Sequence, residues 1–203
     1  MSQSSRMSIY SSSNDTRLVR RVSIVDRNLN KTRGTEVSLS AFAFLFSEML
    51  QYAQKHVLAI QDLERKLNDF GYRVGTRLLE LIVFREKNSK RETRVLGILY
   101  FIHTTVWKTL FGKQADSLEK NMISDNDPVI NKYISVPKEI SHLNCNAFLA
   151  GIVEAILDGA QFPSRVTAHS VPIEGFPLRT TILIQLDKEK IFLGITSISS
   201  LRL

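Results

Sequence analysis

Between Ser38 and Val57 the chain carries large apolar residues on two separate faces of one helix, which limits what it can build. Leu39, Phe42, Phe46, Met49, Leu50, Ala53 and Val57 fall in a single stripe at 3.6-residue spacing, while Phe44, Leu45 and Tyr52 stand well outside it. One apolar stripe is enough to pack a helix on its own domain. A second stripe calls for burial against another chain.

A second helix is expected from Asp62, a plausible N-cap, to about Lys87. Its inner side would be Leu63, Leu67, Phe70, Val74, Leu78 and Leu81. Gly71 and Gly75 lie four apart on one face, and each costs about 1 kcal/mol of helix propensity against alanine. That spacing lets another backbone come close, either within the chain or across a partner contact. A charged hinge, Arg85 to Glu92, leads into a third helix from about Thr93 to Phe111, which stops at Gly112. Its near-continuous apolar surface marks it as the central core helix.

Residues 116–137 lose helical period. Ile130, Tyr133, Ile134 and Val136, set between Pro128 and Pro137, predict turns with a short strand or two. Asn144 is expected to cap a fourth helix through Leu157, whose small residues suit packing on a sheet. Arg165–Val171 and Thr180–Asp187 have β character, and Ile191–Ile198 is a candidate last strand. Helices, a short strand region, one more helix and a closing hairpin make an α+β domain. No internal repeat is visible.

Charge separates this body from what precedes it. Of the net +7, the segment 1–33 carries +5: Arg6, Arg17, Arg20, Arg21, Arg27, Lys31 and Arg33 stand against Asp15 and Asp26. This serine- and arginine-rich segment has few large apolar groups beyond Val22, Ile24 and Val25, and is expected to be a disordered tail. It shares a mitochondrial presequence's composition but lacks a clean amphipathic stripe. Arg20-Arg21-Val22-Ser23 has the form of a basophilic kinase site. The single domain is then residues 34–203. Its near-neutral body argues against a nucleic-acid partner.

Chemistry finds little support. One cysteine allows no intrachain disulfide and no standard zinc site, and His56, His103, His142 and His169 show no close pairing. No phosphate-binding glycine loop, dinucleotide fingerprint or serine-nucleophile elbow is present. Cys145, three residues from His142, is the sole conceivable nucleophile, and a lone cysteine in an apolar helix is most often a buried hydrophobe. No catalytic, cofactor-binding or metal-binding residue is assigned. With a single cysteine the expected compartment is the cytosol, and no uncharged apolar run reaches the roughly 18 residues that span a bilayer. Arg85, Lys87, Lys90, Arg91, Arg94, Lys108 and Lys113 form a candidate membrane-facing basic set. Glu86 and Glu92 balance part of it, and the competing reading is a solvated face.

Several strings go beyond pattern. Thr35-Glu36-Val37-Ser38-Leu39-Ser40-Ala41-Phe42-Ala43 looks like the start of the first helix in the TRAPP small-subunit family. Gly71-Tyr72-Arg73-Val74-Gly75-Thr76-Arg77-Leu78-Leu79-Glu80 is similar to that family's glycine-spaced second-helix motif. Arg91–Gly97, Val106–Lys113, Tyr133–Glu139, Leu143-Asn144-Cys145 and Ala150–Ala155 add to the resemblance, which covers roughly residues 34–187.

The resemblance implies an α/β (α+β) fold with helices packed on one side of a twisted, mainly antiparallel sheet. It implies pairing through the first two helices, with Phe42, Phe44, Leu45, Phe46, Met49, Tyr52, Gly71 and Gly75 as the candidate partner interface. The expected partners are sister small subunits, including one with a lipid-binding pocket, and a longin-like subunit. The assembly would act as nucleotide exchange factor for a Rab GTPase in endoplasmic reticulum-to-Golgi transport, peripheral to those membranes. The lipid-pocket sister is acylated on a cysteine ahead of its third helix. This chain has Lys87-Asn88-Ser89-Lys90-Arg91 there, so acylation is not carried over.

Overall fold

The computed structural model describes residues 37–86, 91–136 and 142–187. The expected tail 1–33 and the candidate strand Ile191–Ile198 lie outside the described residues.

Helix α1 spans Leu39–Lys55. Phe46 and Ala53 of its inner stripe are buried, with Phe42, Met49, Leu50 and Val57 packed partly against the core. Phe46 anchors the helix: its ring stacks with Phe42 at 5.9 Å and meets Phe148 edge-on at 5.4 Å. Such aromatic contacts each contribute about 1 kcal/mol beyond the area they bury.

Helix α2 spans Ile60–Arg85, and its N-cap is Ala59 rather than Asp62. Asp62 instead sits in the first turn, where its carboxylate faces the positive helix end and pairs with Arg65 at 2.9 Å. The buried face also differs from the expected one. It comprises Leu63, Leu67, Gly71, Gly75, Leu78 and Ile82, with Phe70 half-buried and Val74 and Leu81 exposed.

The cause is a backbone-to-backbone crossing with α5, Ala147–Gly159. A Cβ on Gly71 would overlap the Phe148 carbonyl, one on Gly75 would lie 2.5 Å from the Ile152 carbonyl oxygen, and one on Gly151 would overlap the Asn68 carbonyl. Glycines on both helices therefore choose the face, and the larger apolar residues turn aside. Polar bonds flank the crossing: Asn68 Nδ2 donates to Glu154 Oε2 at 3.3 Å, and the Tyr72 hydroxyl to Asp158 Oδ2 at 3.0 Å. Burial is the main cause that raises the Glu154 pKa above the usual carboxylate value.

The expected third helix is a composite. Helix α3, Val95–Phe101, passes through a π-helical turn, Ile102–Val106, into α4, Trp107–Phe111. It ends at Gly112, whose φ of 74° suits a residue without a Cβ. The His103 carbonyl accepts a bond from the Ala115 N–H at 3.1 Å, tying the π turn to the chain that leads into the sheet. Trp107 is fully buried, and its Nε1 donates to Asp125 Oδ2 at 3.1 Å.

Strands β1, Ser117–Glu119, and β2, Met122–Asp125, form a hairpin upstream of where strand character was expected. Ile130 is buried in the turns that follow, so the apolar residues there fill the core instead of extending a ladder. Asn146, not Asn144, is the N-cap position of α5. Asn144 shapes the approach, its Oδ1 accepting from the Asn146 N–H at 3.0 Å. Helix α5 packs on β3, Ser164–Ser170, which pairs with β4, Thr180–Leu186, close to the expected bounds. The sheet order is β1-β2-β4-β3, with every neighbouring pair antiparallel.

Candidate partner-binding face

The inward side of α1 is committed to the core through Phe46 and Ala53, and this fixes what its other side presents. Phe44 is 76% exposed, Leu45 70% and Tyr52 55%. On a helix, residues three or four apart are neighbours, and 41 is so related to 44 and 45, and 48 to 44, 45 and 52, so these side chains share one outward strip with Ala41 and Glu48, both exposed. Tyr52 lies against His56 with ring centroids 4.3 Å apart, and His56 Nδ1 is 2.7 Å from the Tyr52 carbonyl oxygen. Val74 and Leu81 of α2 are exposed as well, at 43% and 40%. Single exposed apolar residues are ordinary on a protein surface. A helical strip of two aromatic rings and a leucine is what interfaces are built from.

The expected interface residues divide. Phe44, Leu45 and Tyr52 are outward. Phe42 and Met49 lie half-buried on the core side. Phe46, Gly71 and Gly75 are interior, the glycines against α5, and so cannot form a partner surface of the folded chain. Val74 and Leu81 were expected inward; had the glycines been read as setting the buried face, the pattern would have placed both outside.

Among the described residues of the candidate basic set, several are engaged within the fold. Lys113 Nζ donates to Asp125 Oδ1 at 3.0 Å, with Asp116 at 3.8 Å, and Asp125 is only 2% exposed. Burial acts to lower the Lys113 pKa, but the hydrogen bond and the attraction of Asp125 outweigh it, and the net shift is upward. That lysine neutralises a core carboxylate. Arg91 Nε donates to the Ala160 carbonyl at 3.3 Å, and Arg85 occupies the last turn of α2, where it complements the negative helix end. Arg94 and Lys108 are exposed, and Lys87 and Lys90 lie outside the described residues.

Cys145 is 2% exposed. Burial, with the Glu64 carboxylate adding to it, pushes its thiol up to about 11. A nucleophilic cysteine needs the opposite shift. Among the described residues, no group of three or more His, Cys, Asp and Glu could hold a metal ion. No described helix is long and apolar enough to cross a membrane.

Residues 42–187 match the family described as "Transport protein particle (TRAPP) component". The chain is 61% identical over 179 residues to "Trafficking protein particle complex subunit 5" of Dictyostelium discoideum, covering 84% of this chain and 95% of that protein. It is 51% identical over 153 residues to the Homo sapiens protein of the same name, covering 72% and 81%. Trafficking protein particle complex subunit 31 of Saccharomyces cerevisiae is 32% identical over 222 residues, covering 76% and 77%. Among solved structures, a subunit 3 from Naegleria fowleri covalently bound to palmitic acid superposes with a TM-score of 0.64 at 16% identity, covering 74% of this chain and 95% of that one. This last likeness concerns the fold alone.

Proposed function

The chain belongs to the transport protein particle (TRAPP) component family, and on that premise we propose that it is a non-catalytic structural subunit of the TRAPP vesicle-tethering complex. In this reading it pairs with a sister small subunit, such as the one with a lipid pocket, through the outward strip of α1, and adjoins a longin-like subunit. The assembled complex then supports nucleotide exchange on a Rab GTPase in endoplasmic reticulum-to-Golgi transport, at the cytoplasmic surface of those membranes. One observation carries the proposal: Phe44, Leu45 and Tyr52 stand exposed on a helix whose other side is already packed. Burying one such side chain contributes about 1.5–3 kcal/mol relative to leaving it in water.

The buried, protonated Cys145 thiol fits a role without covalent chemistry. The functional test is GDP release from the Rab GTPase. The purified single chain is expected to leave the spontaneous rate unchanged, whereas the assembled complex containing it accelerates release. Acceleration by the single chain would overturn the structural-subunit reading.

A further inference from the structure

At the far end of the β3–β4 hairpin the chain displays Val171, Ile173, Phe176 and Leu178, each between 41% and 43% exposed. Strand β2 ends at Asp125, opposite Thr180, so residues 171–179 run past the end of β2. Yet the tip is firmly built. Val171 N–H donates to the Arg179 carbonyl at 2.9 Å, and Ile173 and Phe176 form an antiparallel bridge, bonded at 3.3 and 3.0 Å. Gly175, at φ 83°, closes the turn, as the third residue of a tight four-residue turn often must. Pro172 and Pro177 restrict the backbone on either side. A loop this constrained loses little conformational freedom when it docks, and that raises the affinity an exposed apolar cluster can reach.

Charge identifies the occupant. The acidic residue of the tip is Glu174, which is exposed in the turn itself. The nearby Arg179 is directed back to the sheet, where its Nη2 donates to Ser124 Oγ at 3.3 Å. An anionic membrane surface would repel such a tip. A protein pocket with a basic rim would attract it.

We propose that the Val171–Leu178 tip is a preformed docking wedge that seats Ile173 and Phe176 in an apolar protein pocket and presents Glu174 to basic residues at its rim. This surface uses no residue of α1 and gives the subunit a second contact, independent of the pairing proposed above.

The test uses the full chain in its native assembly, with a photo-activatable phenylalanine analogue replacing Phe176. Cross-linked peptides are expected to come from one defined protein site containing apolar residues flanked by Lys or Arg. Adding Glu174→Lys, which alters only an exposed turn residue, is expected to cut the yield by about tenfold, because the new lysine then faces like charges at the rim. Indifference to the charge reversal, products scattered over many proteins, or the absence of any protein cross-link would overturn the proposal. Co-sedimentation with phosphatidylcholine–phosphatidylserine vesicles provides the other arm. Binding that requires Ile173 and Phe176 would assign the tip to membrane and equally overturn it.

Discussion

Leu45→Asp is expected to leave a folded, soluble chain that no longer co-elutes with its sister subunit. In the isolated chain Leu45 is 70% exposed, so a carboxylate there remains hydrated, and substitutions at such positions usually change stability by no more than about 0.5 kcal/mol. Closure of the α1 contact would strip that hydration without providing a partner charge. The penalty is then several kcal/mol, or a loss of affinity of about 100-fold or more. Circular dichroism with co-elution distinguishes the outcomes. A folded mutant that still pairs normally rejects the assignment, and an aggregated one would put Leu45 in the core. Exchange activity of the assembly should fall as well, although the substitution is remote from any nucleotide.

Gly71→Ala tests the α2–α5 crossing, and its sign is informative. On an exposed helix the change would stabilise by about 1 kcal/mol through propensity alone. Here the added methyl meets the Phe148 carbonyl, a backbone atom that cannot rotate away as a side chain would. The two helices must separate, with overpacking costs of about 3 kcal/mol, which for a domain of this size lowers the melting temperature by roughly 10 °C. A raised melting temperature would mean that the helices do not approach through their glycines. Because α1 rests on Phe148 of α5 through Phe46, the substitution should also loosen α1 and weaken pairing indirectly.

The helix patterns were largely legible because apolar periodicity reports burial directly. In α1 it separated Phe46 and Ala53 from Phe44, Leu45 and Tyr52, and the structure keeps that division. In α2 it misled, since a glycine contributes nothing to an apolar stripe yet determines how closely another helix approaches. Val74 and Leu81 were accordingly drawn inward in place of Gly71, Gly75 and Ile82. The β1–β2 hairpin was misplaced because its strands are three and four residues long, too short for alternation to register. The Trp107–Asp125–Lys113 arrangement joins residues 18 and 12 positions apart across different elements. Lys113 therefore read as a free surface cation when it neutralises a buried carboxylate. The hairpin tip was legible as a loop between strands, but the exposure of its apolar residues depends on where β2 stops.

Burial of the α1 strip by a partner is the central claim, and the chain's single cysteine permits a direct measurement of it. Cys145 is buried, with its thiol held in the protonated form at neutral pH, so in a Leu45→Cys variant the maleimide carried by this chain, resolved from its partner by mass, reports position 45. In the isolated chain the new thiol should react at the rate of an exposed cysteine. In the co-eluting pair with the sister subunit, water-excluding contact at the centre of an interface should slow labelling by about tenfold or more. Equal labelling in the isolated chain and in a pair shown to be assembled would contradict the account.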